Sequence, residues 1–304
     1  MSSSKARTLN HSPPLVFPPS GLHKTTLIVL HGRGSTAEKL AKPLLTHQVS
    51  PLLKSPPLNQ IPKTFHDHLP TTKFIFPTAQ LRRAMSFNRS LIHQWFDTFS
   101  LSEPGRKQHL QIPGLHDTTA YLHELLKAEI ELVGAENVIL MGLSQGCAAS
   151  MIAIMLWDGE PLRGFVGMCG WLPFREDMQE LLGDEELGRE VQTGEEVDGL
   201  FGRDDGDGAA GTKLEQVVQW LREELHPVGS SDTIHVHPPL GAIPVFMGHG
   251  TKDEKIPCAY GKLAAGFLRN VKVDVEWHEY EGLGHWYSAD MLRDIIQFLD
   301  RVNE

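Results

Sequence analysis

The sequence has few of the features that would place it among secreted, membrane or nucleic-acid-binding proteins. Nowhere in its 304 residues do about eighteen apolar side chains follow one another, the length a membrane-crossing helix needs. Its three cysteines, Cys147, Cys169 and Cys258, are an odd number without paired spacing, which fits a reducing, intracellular setting better than a disulfide framework. Lys and Arg number 28 against 38 Asp and Glu, and the net charge of -10 comes with no basic cluster, so no nucleic-acid partner is expected. The first twenty residues break any apolar run with Pro and Ser, so no signal peptide is expected. The chain opens Met-Ser rather than Met-Gly and has no cysteine near its C-terminus, so no lipid anchor is expected and the default location is cytoplasmic.

Short apolar runs alternating with helical patterns are what the chain does contain. Candidate strands are 25–31, 73–77, 137–142, 164–169, 243–250 and 272–280, several of them apolar throughout, as strands buried on both faces are. Candidate helices are 116–133, 145–157, 213–225, 257–269 and 288–302. This alternation predicts the α/β class: a mostly parallel central sheet with helices on both faces. Residues 1–22 read as a flexible tail and 23–304 as a single domain.

Two stretches depart from the rhythm. Residues 43–70, rich in Pro, His and Lys, predict an irregular excursion. An acidic, glycine-rich run at 176–212, from Glu176 and Asp177 to Asp204, Asp205 and Asp207, predicts a solvated insertion spanning about 176–240 before a later strand. It reads either as a surface loop without chemical role or as a lid.

The strongest local signal is Gly142-Leu143-Ser144-Gln145-Gly146, directly after an apolar strand and directly before a helical stretch. Read in isolation, the pattern is also compatible with a plain turn. In this context it predicts a sharp strand-to-helix turn whose crowded backbone demands glycine on either side and presents the Ser144 hydroxyl. The N–H of Gln145 could then donate to a developing oxyanion, and that of Arg33, in His31-Gly32-Arg33-Gly34 after the first confident strand, could supply a second donor.

A serine hydroxyl is a weak nucleophile until a base activates it. Asp253, after the strand IPVFM, and His285, after KVDVEWHEY, follow Ser144 in the order acid then histidine. Glu254, next to Asp253, is the competing acid. His66-Asp67-His68 and His235-Val236-His237 have metal-like spacings without a plausible further ligand set, so no metal is expected.

Taken together, VLHGRGS at 29–35, KFIFPTA at 73–79, QWFDTFSL at 94–101, VILMGLSQGCAAS at 138–150, GMCGWLPF at 167–174, MGHGTKDEKIP at 247–257 and YEGLGHW at 280–286 resemble the acyl-protein thioesterase, or phospholipase/carboxylesterase, family of α/β-hydrolases. The resemblance implies the α/β-hydrolase fold, with Ser144, Asp253 and His285 as catalytic triad and the amides of Arg33 and Gln145 as oxyanion donors. It also implies that Trp95 and Trp171 lie beside an acyl pocket. The implied activity is hydrolysis of carboxylic esters or thioesters through an acyl-enzyme, without a cofactor, on substrates such as an S-acylated protein or a lysophospholipid. Leu143 and Cys147 depart from the family's usual Gly-Phe-Ser-Gln-Gly-Gly elbow, and the stretches 43–70 and 176–212 are absent from its compact members. Two other readings stay open at this point: a hydrolase of a different small ester or lactone, and a non-catalytic binding protein that retains the fold.

Overall fold

A computed structural model describes residues 11–52, 62–183, 211–225 and 238–302. Seven strands, β1 (Leu15–Phe17), β2 (Thr25–Leu30), β3 (Thr72–Phe76), β6 (Val138–Leu143), β7 (Gly164–Met168), β8 (Val245–Gly250) and β9 (Val275–Tyr280), form one sheet in the order β1-β3-β2-β6-β7-β8-β9. All neighbours are parallel except β1, which pairs antiparallel with β3 at the edge. Strands β4 (Leu81–Ala84) and β5 (Ser90–His93) make a separate antiparallel hairpin.

The central strands β2, β6, β7 and β8 are buried at every residue. Consecutive side chains point to opposite faces, so apolar residues are needed on both. In β2, Ile28 and Leu30 join one core cluster while Leu27 and Val29 join another; in β6, Val138 and Leu140 divide from Ile139, Met141 and Leu143 in the same way. The first face is covered by α3 (Ile112–Val133), α4 (Gln145–Met155), α6 (Lys213–Leu225) and α7 (Cys258–Asn270), whose buried residues share its cluster. The second is covered by α1 (Ala37–Leu45), α2 (Phe65–His68) and α8 (Ala289–Arg301). Helix α8 shows why such a segment docks: Met291, Leu292, Ile295, Ile296 and Leu299 make one apolar stripe, and the Ser288 hydroxyl accepts from the Met291 amide at 3.1 Å to cap its start.

After β2 the chain runs to β3 on one side, then returns to place β6 on the other. The crevice outside the carboxyl ends of the strands at such a reversal is where open α/β sheets gather their functional loops. The segments after β2, β6, β8 and β9 all emerge on that edge, and they carry Gly32, Ser144, Asp253 and His285.

All six strands predicted from sequence are present with small shifts at their ends. The structure also corrects several expectations. Leu15–Phe17, inside the stretch expected to be a tail, contribute the edge strand β1. Helix α3 starts at Ile112, four residues before the predicted start at 116, because Pro113 sits in the first turn, where its missing N–H costs nothing. The expected irregular excursion begins inside α1 and closes through a Gln48–Thr64 bridge and the capped turn α2, whose Asp67 carboxylate accepts from the Thr64 amide and hydroxyl. Of the acidic stretch, 176–183 includes most of the short helix α5 (Arg175–Leu181), and residues 184–210 lie outside the described residues, as do His235 and His237. Helix α6 buries Leu214, Val217, Val218, Leu221 and Leu225 in the first core.

Candidate active site

Strand β6 delivers Ser144 through a turn that few side chains tolerate. Ser144 adopts φ 58 and ψ -122, a left-handed conformation that costs a non-glycine residue roughly 1–3 kcal/mol and persists only where the surroundings impose it. The Ser144 amide donates to the Met168 carbonyl at 2.8 Å, anchoring the turn to β7. A Cβ on Gly142 would stand 2.5 Å from the Cys147 amide nitrogen, and one on Gly146 would stand 2.5 Å from the Leu30 carbonyl oxygen. Both obstacles are backbone, so the glycines flanking the serine are a steric requirement of the turn.

His285 lies in the turn between β9 and α8. Its Nε2 is 2.8 Å from the Ser144 hydroxyl and its Nδ1 is 2.7 Å from Asp253 Oδ2. Since the carboxylate only accepts, Nδ1 carries the hydrogen and Nε2 faces the serine hydroxyl as a hydrogen-bond acceptor. Asp253 follows β8; its Oδ1 accepts the amides of Lys255 and Ile256, each at 2.9 Å, and its Oδ2 also lies 3.1 Å from His249 Nε2. Burial pushes this carboxyl up, but hydrogen bonds from His249, His285 and the Ile256 amide outweigh it and hold it well below the usual carboxylate range. Glu254, the competing acid, is exposed. The acid and histidine loops are stitched together by Thr251 N–H to Tyr280 O at 3.0 Å and Lys252 N–H to Leu283 O at 2.9 Å.

Gln145 opens α4, so its N–H is one that the helix leaves without an intrahelical acceptor, at the positive end of the helix dipole and one residue from the hydroxyl. Gly32 packs against Ser144, and a Cβ there would stand 3.2 Å from the serine Cβ, which brings the Gly32-Arg33 segment to the Ser144 side chain. The Arg33 side chain turns away, donating from Nε to Gln94 Oε1 and from Nη2 to Ser86 Oγ, each at 2.8 Å, with its plane over Phe87. His31 braces this loop: Ala79 N–H donates to its Nε2 at 3.0 Å, so Nδ1 carries the hydrogen and donates to the Gly32 carbonyl at 2.7 Å.

The two tryptophans part company. Trp95, expected beside an acyl pocket, is 0% exposed and offers no surface to a ligand. It is a clamp instead: its indole N–H donates to the His31 carbonyl at 2.7 Å, and its amide donates to the Gln145 side chain at 3.0 Å. Trp171, 2% exposed, lines a narrow surface cleft with Pro104, Gln108, Phe174, Glu176 and Tyr260, and its indole nitrogen has no partner among the described residues. Sequence reasoning passed over His249, whose signal was present: a histidine inside a buried strand end, four residues before the acid.

Among the described residues, the one cluster of three His, Cys, Asp or Glu side chains with donor atoms within 4.8 Å is Cys169, Asp253 and His285. Its Asp253 and His285 atoms are engaged by the hydrogen bonds above. No helix among the described residues is long and apolar enough to cross a membrane.

Comparison with known proteins agrees with the geometry. The phospholipase/carboxylesterase family model matches residues 58–184 and 230–303, more than half of the chain. An acyl-protein thioesterase 1 of Yarrowia lipolytica is 26% identical over 292 residues, covering 95% of this chain and 96% of that protein. Carboxylesterase SOBER1 of Arabidopsis thaliana is 22% identical over 238 residues, 77% of this chain and 78% of that protein. Among solved structures, Zea mays acyl-protein thioesterase 2 superposes with a TM-score of 0.63 at 20% identity, covering 97% of this chain and all (100%) of the other. Arabidopsis SOBER1 gives 0.62 at 20% identity over 92% of this chain and 100% of its own. At those identities the superpositions speak for the fold, and the family match for the lineage: the chain belongs to the phospholipase/carboxylesterase family of α/β-hydrolases.

Proposed function

We propose that this protein is a serine hydrolase that cleaves carboxylic esters or thioesters through an acyl-enzyme, with Ser144 as nucleophile, His285 as general base and Asp253 as the residue that orients it. The observation that carries the reading is the continuous chain Ser144 Oγ, His285 Nε2 at 2.8 Å, His285 Nδ1, Asp253 Oδ2 at 2.7 Å.

In this mechanism His285 Nε2 takes the hydroxyl proton as Ser144 Oγ attacks the carbonyl carbon. Asp253 stabilises the imidazolium that forms, and the amides of Gln145 and Arg33 receive the tetrahedral oxyanion. The imidazolium then protonates the departing alkoxide or thiolate. Water, deprotonated by the same imidazole, releases the acid and regenerates the serine.

In this reading the acyl group lies beside Trp171; the support is that Trp171 follows Gly170, which packs close to the Ser144 carbonyl, and borders a cleft with mixed apolar and polar walls. Relatives named acyl-protein thioesterase favour an S-acylated protein as substrate, and the phospholipase/carboxylesterase family keeps a lysophospholipid in view. Rates on matched oxygen esters and thioesters of increasing acyl length test this. The reading expects turnover that rises with acyl length and extends to thioesters; activity confined to acetyl or lactone substrates contradicts the acyl-protein assignment.

A further inference from the structure

Strand β8 ends in Gly248-His249-Gly250, and the His249 ring is 1% exposed beneath the acid loop. Its Nε2 lies 2.9 Å from the Ile256 carbonyl oxygen and 3.1 Å from Asp253 Oδ2. Carbonyl and carboxylate oxygens only accept, so Nε2 carries the hydrogen and donates to both. The other ring nitrogen, Nδ1, is buried with no partner among the described residues, and a Cβ on Gly261 would stand 2.4 Å from it, so only glycine at 261 admits the ring.

Ile256 closes a small circuit. Its N–H donates to Asp253 Oδ1 at 2.9 Å while its carbonyl accepts from His249, whose other acceptor is Asp253 Oδ2. The terminal torsion of an aspartate is soft and roughly two-fold. Two amides fix Oδ1; the groups that fix Oδ2 are His285 and His249.

We propose that His249 is a positioning residue for the reaction: its Nε2–H sets the rotation of the Asp253 carboxylate and shares the charge of Oδ2 with His285. The inference rests on the triad reading above. Its consequence is electrostatic as well as geometric. When the serine proton moves to His285 Nε2, the imidazolium is stabilised by an oxygen already engaged by a second donor. Removing that donor leaves more charge on Oδ2, which strengthens its attraction for the imidazolium and so changes the pH dependence of hydrolysis.

Other titratable groups face this circuit. Cys169, after β7, and Cys258, on α7, are pushed up by burial to about 12 and about 11, so both are neutral thiols near neutrality. Glu279, on β9, is held below its ordinary value by the Trp277 indole N–H and by Lys262, against burial, and is a paired anion. None of the three donates a hydrogen bond to Asp253 Oδ2, so none replaces His249.

The test uses the full chain as His249→Phe, which keeps ring bulk without a donor, and His249→Gln, which returns an N–H near Nε2. Ester hydrolysis is followed against pH, with kcat and KM resolved. For the Phe variant the expected result is a kcat loss of about 30-fold with KM nearly unchanged, and an acid limb of kcat/KM moved up by roughly half a pH unit. The Gln variant recovers most of both. A folded Phe variant with wild-type kcat and acid limb overturns the proposal, as does a loss of kcat with an unmoved limb that Gln fails to rescue. Should the Phe variant not fold, imidazole nitrogen NMR on the wild type decides: the proposal requires His249 protonated at Nε2, and an Nδ1-protonated tautomer refutes it. Fluorophosphonate labelling of the wild type reports separately on the triad, so the two failures are distinguishable.

Discussion

The amide of Trp95 donates to the side-chain oxygen of Gln145 at 3.0 Å, and the amide group of the same Gln145 side chain donates to Phe96 O at 2.8 Å and Thr98 Oγ1 at 3.1 Å. One residue thus serves the site twice: its main chain starts α4 beside Ser144, and its side chain holds the Trp95-Phe96 segment that in turn grips the His31 carbonyl. Gln145→Ala would keep the main-chain donor and leave the buried Trp95 amide and Phe96 carbonyl unpaired. We predict a loss of about 3 kcal/mol in unfolding free energy and a fall in kcat, with Ser144 still present to react. Urea denaturation checks the first and steady-state kinetics the second.

The elbow glycines carry a steeper prediction. Gly146→Ala would set a Cβ 2.5 Å from the Leu30 carbonyl oxygen and 2.6 Å from that of His31, two main-chain atoms at the carboxyl end of β2. Relief requires moving β2 or α4, so the substitution should cost about 3 kcal/mol. A melting temperature within a degree or two of wild type would show that the two elements are not packed as described.

A stability prediction follows from His31. Burial lowers its pKa from 6.5 to about 4, against the upward pull of its hydrogen bond to the Gly32 carbonyl. The unfolded chain takes up this proton near pH 6.5, the folded chain only near 4. Between those values the unfolded state binds more protons, so stability falls as pH falls through that window, by roughly 3 kcal/mol in total from this group. Asp253, held below its ordinary 3.8, adds a loss of the same sign at more acidic pH. Urea unfolding at pH 7 and pH 4.5 checks this: His31→Asn should start less stable and show a shallower fall than wild type.

The thiols give a negative control for the nucleophile. Burial raises Cys147 above the usual thiol range, Cys169 to about 12 and Cys258 to about 11, and Cys147 and Cys169 are also 0% exposed. Thiolate is the reactive form, so maleimide at pH 7 should leave Cys147 and Cys169 unmodified in the folded protein and ester hydrolysis intact. Rapid inactivation accompanied by an adduct on Cys147 would contradict the packing around the elbow.

The sheet was legible from sequence because its central strands need apolar residues on both faces, which leaves runs such as TTLIVL and NVILMG. The elbow was legible because its crowding forces glycine around the serine, and the acid and histidine because parallel strands put their following loops on one edge. Other features left weaker traces. Strand β1 has three residues between prolines, and the β4–β5 hairpin, with Arg82 and Arg83 in one strand, lacks an apolar alternation. Pro113 looks like a helix breaker unless the first turn is already known. Trp95 was expected at a pocket from the family resemblance alone; its bonds to His31 and Gln145 come from residues 64 and 50 positions away, which no local pattern encodes.

The central claim is that Ser144 is a nucleophile activated by His285. Labelling the intact protein with a fluorophosphonate and locating the adduct by mass spectrometry tests it most directly. The account predicts a single adduct on Ser144, absent from Ser144→Ala and slowed by about 10⁴-fold in His285→Ala, with ester hydrolysis falling in parallel. A wild-type protein that stays unlabelled, or a Ser144→Ala variant that still labels and turns over ester, would contradict it.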